Sequence, residues 1–294
     1  MKNDIFNFRR FGKYFTSDLR GCWANYGLSL MTISFIIPVI SYVIFTALNL
    51  ILSSEWDGPD MGFRVFAFCI AMFCIVITMP VKCYGKITEK RYGSFWLTLP
   101  ASRLEKFVSM FLMTCIIVPI TGIILYLGMD ALICAFDHTC GNSLVSGGLE
   151  LIRNLGNLQE LTMNLIDEQI TIEGAAATQE ILNQISSPWI YIDDFFGITL
   201  PFLLGAIFFK SGKTVKTILA MCAISTAISI AFTPLISGWA ESIVNAGEGD
   251  PNMFLQIISE NFFKHLVLID TVSDTIVNGA LLAGIWFRIK TLKH

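Results

Sequence analysis

Charge is scarce in this chain. Only 15% of its 294 residues are Asp, Glu, Lys or Arg, against 54% hydrophobic, and mean hydropathy is +0.65. A soluble domain of this length needs far more polar surface. Catalytic signatures are missing as well. There is no His-Glu-x-x-His and no Gly-x-Ser-x-Gly, which excludes the common metalloprotease and serine-hydrolase arrangements. Gly212-Lys213-Thr214 ends like a phosphate-binding loop, but Ile207 stands where that loop needs its first glycine, and an apolar run rather than a strand precedes it. A cleavable signal peptide is not expected: some 26 mostly polar residues come first, and the apolar run after them is too long, so it reads as an uncleaved anchor. The eight cysteines form no disulfide framework. Cys22 and Cys83 fall on the side expected to be cytoplasmic. Only Cys140, and Cys134 near it, could meet an oxidising compartment, with buried free thiols favoured over a Cys134–Cys140 bridge. Asp137, His138 and Cys140 are mixed metal-ligand types, but one short cluster of this kind is usually a loop.

What the chain has is long apolar runs. About 20 residues cross a hydrocarbon core about 30 Å thick. Six candidate spans follow: 28–52, 63–81, 107–130, 189–209, 217–240 and 265–287. The fourth and sixth carry Asp193 and Asp194, and Asp270 and Asp274. The gaps alternate in charge. Lys2, Arg9, Arg10, Lys13 and Arg20 precede the first span, and Lys82, Lys86, Lys90, Arg91, Arg103 and Lys106 lie between the second and third. Lys210, Lys213 and Lys216 lie between the fourth and fifth, and Arg288, Lys290 and Lys293 end the chain. Only Arg64, Arg153 and Lys264 fall on the opposite side, and Arg64, near a span end, can snorkel. Short loops rich in Lys and Arg stay inside. The expectation is an all-α, multi-pass protein of the inner (cytoplasmic) membrane with six transmembrane helices and both termini cytoplasmic. The basic face suits anionic lipid headgroups, and no nucleic-acid partner is expected.

Three segments carry more detail. Within residues 1–27, Phe6, Phe8, Phe11, Tyr14, Phe15, Leu19 and Trp23 recur every three to four residues with basic residues between them. That pattern fits an amphipathic interfacial helix ahead of the transmembrane domain 28–294; a disordered basic tail is the alternative. The outer segment 137–188 repeats apolar residues at helical spacing from Leu149 to Ile166, which fits helices resting on the outer surface or capping the bundle. Asp270, Asp274 and Asn278 share one stripe of the sixth span, and Asp193 and Asp194 lie in the same outer half of the fourth. Acids facing lipid are costly. Two readings stay open: an acidic vestibule on a transport path, or shallow placement at the outer interface and against the capping segment.

The loop between spans two and three holds an apolar knuckle. A charged stretch ends near Glu89, Gly93 loosens it, and Ser94–Leu99 is apolar and aromatic before Pro100 stops it. Ser102 with Glu105 three residues on reads as a capping box for the next helix. Phe95, Trp96, Leu97 and Leu99 then form either a docking surface for a soluble partner or an interfacial helix.

This loop resembles the intracellular loop of ABC-2 type transporter permeases, through Glu89, Gly93 and Leu99-Pro100-Ala101-Ser102-Arg103-Leu104-Glu105. The layout of spans is similar too. The resemblance implies that the loop touches an ATPase, with Glu89, Gly93, Phe95, Trp96, Leu97, Leu99 and Pro100 at the contact. It implies that ATP and magnesium sit on that separate cytoplasmic subunit, that this chain holds no cofactor and is no enzyme, and that a second permease copy or paralogue completes the transporter. The large outer segment departs from the family layout, in which it often lies between spans five and six. Two rivals remain: a membrane scaffold or sensor that recruits a cytoplasmic partner, and a small intramembrane enzyme, for which no catalytic constellation is visible.

Overall fold

The computed structural model describes residues 6–53, 56–149, 188–247 and 264–292. Among these residues every regular element is helical. We number them α1 (Phe8–Ser53), α2 (Met61–Tyr84), α3 (Lys90–Thr98), α4 (Arg103–Leu112), α5 (Val118–Phe136), α6 (Pro188–Phe208), α7 (Lys213–Gly247) and α8 (Lys264–Thr291). Short 3-10 turns follow α2 and α5, at Gly85–Thr88 and His138–Cys140. A π turn, Met113–Ile117, joins α4 to α5. Pro119 accounts for it: a proline ring clashes with the carbonyl four residues back, here Cys115, and widens the preceding turn.

Four helical stretches are long and apolar enough to cross a membrane: Phe8–Leu52, Met61–Thr88, Arg103–Phe136 and Lys213–Ala231. They contain the expected spans one, two and three and most of five, and mark an all-α, multi-pass membrane protein. The expected spans four and six fall on α6 and α8, which are 21 and 28 residues long. Of the outer segment, residues 137–149 are described, with a helical turn beginning at residue 144. The amphipathic helices expected beyond Leu149 lie outside the described residues.

The N-terminal expectation needs correction. Residues up to 27 do not form a helix separate from the first span. α1 runs unbroken for 46 residues, about 69 Å at 1.5 Å per residue. Nothing in the sequence stops it there: Gly21 and Gly27 are tolerated inside, Asn25 spends its amide on the Gly21 carbonyl at 2.7 Å, and the first proline is Pro38.

The chain divides into two compact units. The first comprises Met1–Ile152, Thr199–Thr214 and Leu282–His294; the second comprises Arg153–Ile198 and Val215–Leu281. In the first unit α1, α2 and α5 pack together. Leu30, Ile75, Met79 and Val118 form one buried cluster, and Ala71, Tyr126 and Leu144 another. Gly122 permits the close approach: a Cβ there would sit 2.8 Å from Ile75 Cδ1. Small residues let membrane helices approach in this way. The outward surfaces stay apolar, with Ile40, Ile44 and Ile51 on α1, Phe66 and Phe73 on α2, and Ile120 and Ile124 on α5 all exposed. A bilayer takes such a surface; water does not.

Arg64 does not snorkel. It is 4% exposed and faces Asp130 of α5, Nη1 lying 3.2 and 3.3 Å from the two carboxylate oxygens. Nη1 also donates to Cys134 Sγ at 2.7 Å, and Nη2 to the carbonyls of Cys140 and Asn142 at 3.1 and 2.6 Å. The Leu144 amide donates to Asp130 Oδ2 at 2.7 Å. A buried charge needs such compensation. The pair therefore ties residues 140–144 to the ends of two spans.

Candidate docking site at the basic end

The basic residues collect where α1 begins and where α2 hands over to α3 and α4. The helical stretch Arg103–Phe136 is 34 residues, about 51 Å, against a hydrocarbon core of about 30 Å. The stretch is therefore longer than the apolar layer is thick.

Along one side, α1 is held there by polar contacts. Arg10, Tyr14, Asp18 and Cys22 are spaced four apart and so share a face. Arg10 makes a bidentate contact with Glu105, its Nε 2.8 Å from Oε2 and its Nη2 2.8 Å from Oε1. Asp18 accepts from the Tyr84 hydroxyl at 2.8 Å and the Ser109 hydroxyl at 2.6 Å. Cys22 meets Cys83, Sγ to Sγ 2.8 Å. The aromatics Phe11 and Phe15 stack on each other on a neighbouring face.

The capping box is present. Ser102 Oγ accepts from the Glu105 amide at 3.1 Å, and Glu105 Oε2 accepts from the Ser102 amide at 2.8 Å. Glu105 is fully buried and also accepts from the Asn7 amide at 2.9 Å, so one carboxylate serves α1, α4 and the turn before α4. Arg103 donates to the Lys290 carbonyl at 2.7 Å, near the end of α8. Lys213, from the Gly-Lys-Thr run, donates to the Gly85 carbonyl and to Thr88 Oγ1, bracing the turn before α3.

α3 has two sides. Glu89 caps its start through the backbone and is exposed. Gly93 does not interrupt the helix; it is buried within it. Trp96, expected to reach a partner, turns inward instead and is 4% exposed. The cause is Lys106: its ammonium lies 4.8 Å from the Trp96 ring centroid and donates to the carbonyls of Trp96 and Leu97 at 2.7 and 3.2 Å. That cation satisfies the carbonyls left open at the helix end. Leu97 and Leu99 are half-buried and Pro100 is exposed. The outward side is Tyr92 and Phe95, 41% and 62% exposed. α3 stops at Thr98 because Leu99 is extended, as a residue before proline prefers.

At the Leu99-Pro100 turn lies an open cavity of about 560 Å³, lined also by Arg9, Arg10, Lys13 and Tyr14. Arg9 and Lys13 also line a second hollow with Arg20. Sequence reasoning missed this adjacency, since the first residues of α1 and the turn at Leu99-Pro100 meet only in three dimensions.

The acidic residues of α6 and α8 belong to the second unit. Asn278 is buried; its amide donates to Asp193 Oδ1 at 2.6 Å and to the Asp193 carbonyl at 2.9 Å. Thr275 donates to Asp193 Oδ2 at 2.8 Å. The structure thus brings Asp193, Thr275 and Asn278 together as a polar clamp. Asp194 is exposed, Asp274 is half-buried, and Asp270 lies on α8. Among the described residues no three His, Cys, Asp or Glu side chains are grouped to hold a metal ion. Asp137 is engaged otherwise: Tyr42 donates to Oδ2 at 2.5 Å and Trp56 at 3.2 Å, while Thr139 donates to Oδ1 at 2.7 Å. The Tyr42 hydroxyl, then Thr139, hold its carboxyl down at about 2, below the usual range. Cys134 and Cys140 are buried free thiols. Comparison with protein-family models, curated proteins and solved structures yields no match to the chain.

Proposed function

We propose that this chain is the permease subunit of an ABC-2-like transporter of the inner membrane, moving its substrate outward with ATP hydrolysed on a separate cytoplasmic subunit. In this reading α6 and α8 complete six spans, both termini are cytoplasmic, and a second copy or a paralogue packs beside the chain. The observation that carries the reading is the braced knuckle. α3 stands at the basic end with its last turn held from within by Lys106, it exposes Tyr92 and Phe95, and a basic cavity opens at the Leu99-Pro100 turn that follows it. An aromatic anchor flanked by cations fits an apolar cleft with acidic edges on the ATPase. Asp193, Asp194, Asp270, Asp274 and Asn278 remain the candidate transport path.

Purification from the native membrane tests this. The wild-type chain should bring down an ATPase. Phe95→Asp should reduce its recovery about 30-fold or more, the loss expected for an anchor worth about 2 kcal/mol, while chain abundance in the membrane is unchanged. A partner without ATPase activity would overturn the transporter reading in favour of a scaffold. Unchanged recovery with Phe95→Asp would overturn α3 as the contact.

A further inference from the structure

We infer that Cys22 and Cys83 form a peroxide-oxidisable dithiol that closes into a reversible disulfide at the basic end. Two thiols from different helices, 61 residues apart in sequence, lie with their sulfurs 2.8 Å apart. A disulfide requires about 2.05 Å, so the sulfurs have less than about 1 Å to travel. The two are unequal. Cys83 is 9% exposed, whereas Cys22 is half-buried and borders a narrow hollow lined by Leu19, Trp23, Tyr26 and Met79. That hollow is half open and has room for water-sized molecules beside the sulfur. A small hydroperoxide can enter it as oxidant.

The chemistry assigns the roles by access. Cys22, as thiolate, attacks the terminal peroxide oxygen; the O–O bond breaks, hydroxide (or alkoxide) leaves, and Cys22 becomes a sulfenic acid. The Cys83 sulfur then attacks the Cys22 sulfur, giving up its proton as the S–S bond forms, and hydroxide leaves from Cys22. Protonation of both leaving groups makes the balance two thiols plus hydrogen peroxide giving one disulfide plus two waters. The peroxide accepts two electrons, one from each sulfur. A thiol reductant reverses the step, which suits a transient bond in a reducing compartment.

The position gives the bond a consequence. Cys22 ends the polar row that seats α1, and Cys83 precedes the Gly85–Thr88 turn from which α3 rises. The disulfide would weld α1 to the base of the knuckle. This inference stands apart from the proposed transport function, since its readout is covalent.

The test treats the purified, reduced full chain with hydrogen peroxide, blocks remaining thiols with a maleimide, and maps peptides by mass spectrometry. The expected product is a peptide pair joined through Cys22 and Cys83, two hydrogens lighter than its free parts and released by a phosphine reductant. Cys83→Ser should leave Cys22 as a sulfenic acid that dimedone labels; Cys22→Ser should abolish both bond and label. Both thiols fully alkylated after peroxide would overturn the inference, as would a stable Cys22 sulfenic acid in the wild-type chain. A bond formed at Cys134–Cys140, or between copies through the exposed Cys69 or Cys222, with none at Cys22–Cys83 would overturn it too.

Discussion

Replacing Arg64 by leucine should open the loop end of the first unit. The substitution removes five hydrogen bonds in which the guanidinium donates: two to Asp130, and one each to Cys134 Sγ, the Cys140 carbonyl and the Asn142 carbonyl. The larger effect is on Asp130, which is 3% exposed and would keep only the Leu144 amide among these contacts. Breaking a buried pair from one side costs about 3–5 kcal/mol, because a charge is stranded. Removing both charges costs much less. At about 1.4 kcal/mol per factor of ten, the opening equilibrium should rise by roughly two to three and a half powers of ten. Cys140 reports it. That thiol is 5% exposed and sits on the loop that Arg64 anchors. In a chain whose other cysteines are serine or alanine, maleimide alkylation of Cys140 should speed up by about that factor in Arg64→Leu. In Arg64→Leu with Asp130→Leu it should return to within about tenfold of the parent. Equal reactivity in parent and single variant, or equal acceleration in single and double variants, would refute the claim that a buried ion pair holds this loop.

Other outcomes follow from individual contacts. Asp137 is held at about 2, below its unfolded value near 4. Its contribution is therefore complete above about pH 4 and lost as pH falls through about 2; Trp56 emission, compared with a Trp56→Phe control, should change in that window and not above it. Ser102→Ala should cost about 1 kcal/mol of thermal stability in detergent through loss of the cap on α4, with Ser102→Asp restoring most of it. Gly122→Val should cost about 1–3 kcal/mol by overpacking against Ile75, whereas Gly122→Ala should be mild because the atom it meets ends a flexible side chain. Asn278→Leu should lower stability by about 0.6–2 kcal/mol through the lost bonds to Asp193. Under the transport reading, Asp274→Asn should alter transport while expression stays normal; unchanged transport would remove Asp274 from the path.

Four of the expected spans were legible because a bilayer imposes a length and a polarity that one dimension can display. Partners were not. The aromatic spacing of Phe8, Phe11, Phe15 and Leu19 announced a helix, yet the polar contacts that seat it come from Arg10, Asp18 and Cys22. Those three residues find Glu105, Tyr84, Ser109 and Cys83 between 61 and 95 positions away. An acid, Asp18, at four-residue steps from Arg10 and Cys22 among mostly basic neighbours was the available signal. Likewise Arg64 and Asp130 stand near matching ends of two spans, and opposite charges at matched depth point to a pair. The knuckle shows a different limit. Of the motif residues that resemble the ABC-2 loop, Ser102, Arg103 and Glu105 serve here as cap, brace and strut. A motif of struts reports the shape that it holds in place. Lys106, one residue beyond that motif, is what holds Trp96 inward and leaves Tyr92 and Phe95 on the exposed side of α3; Trp96, the larger aromatic, is spent on that support.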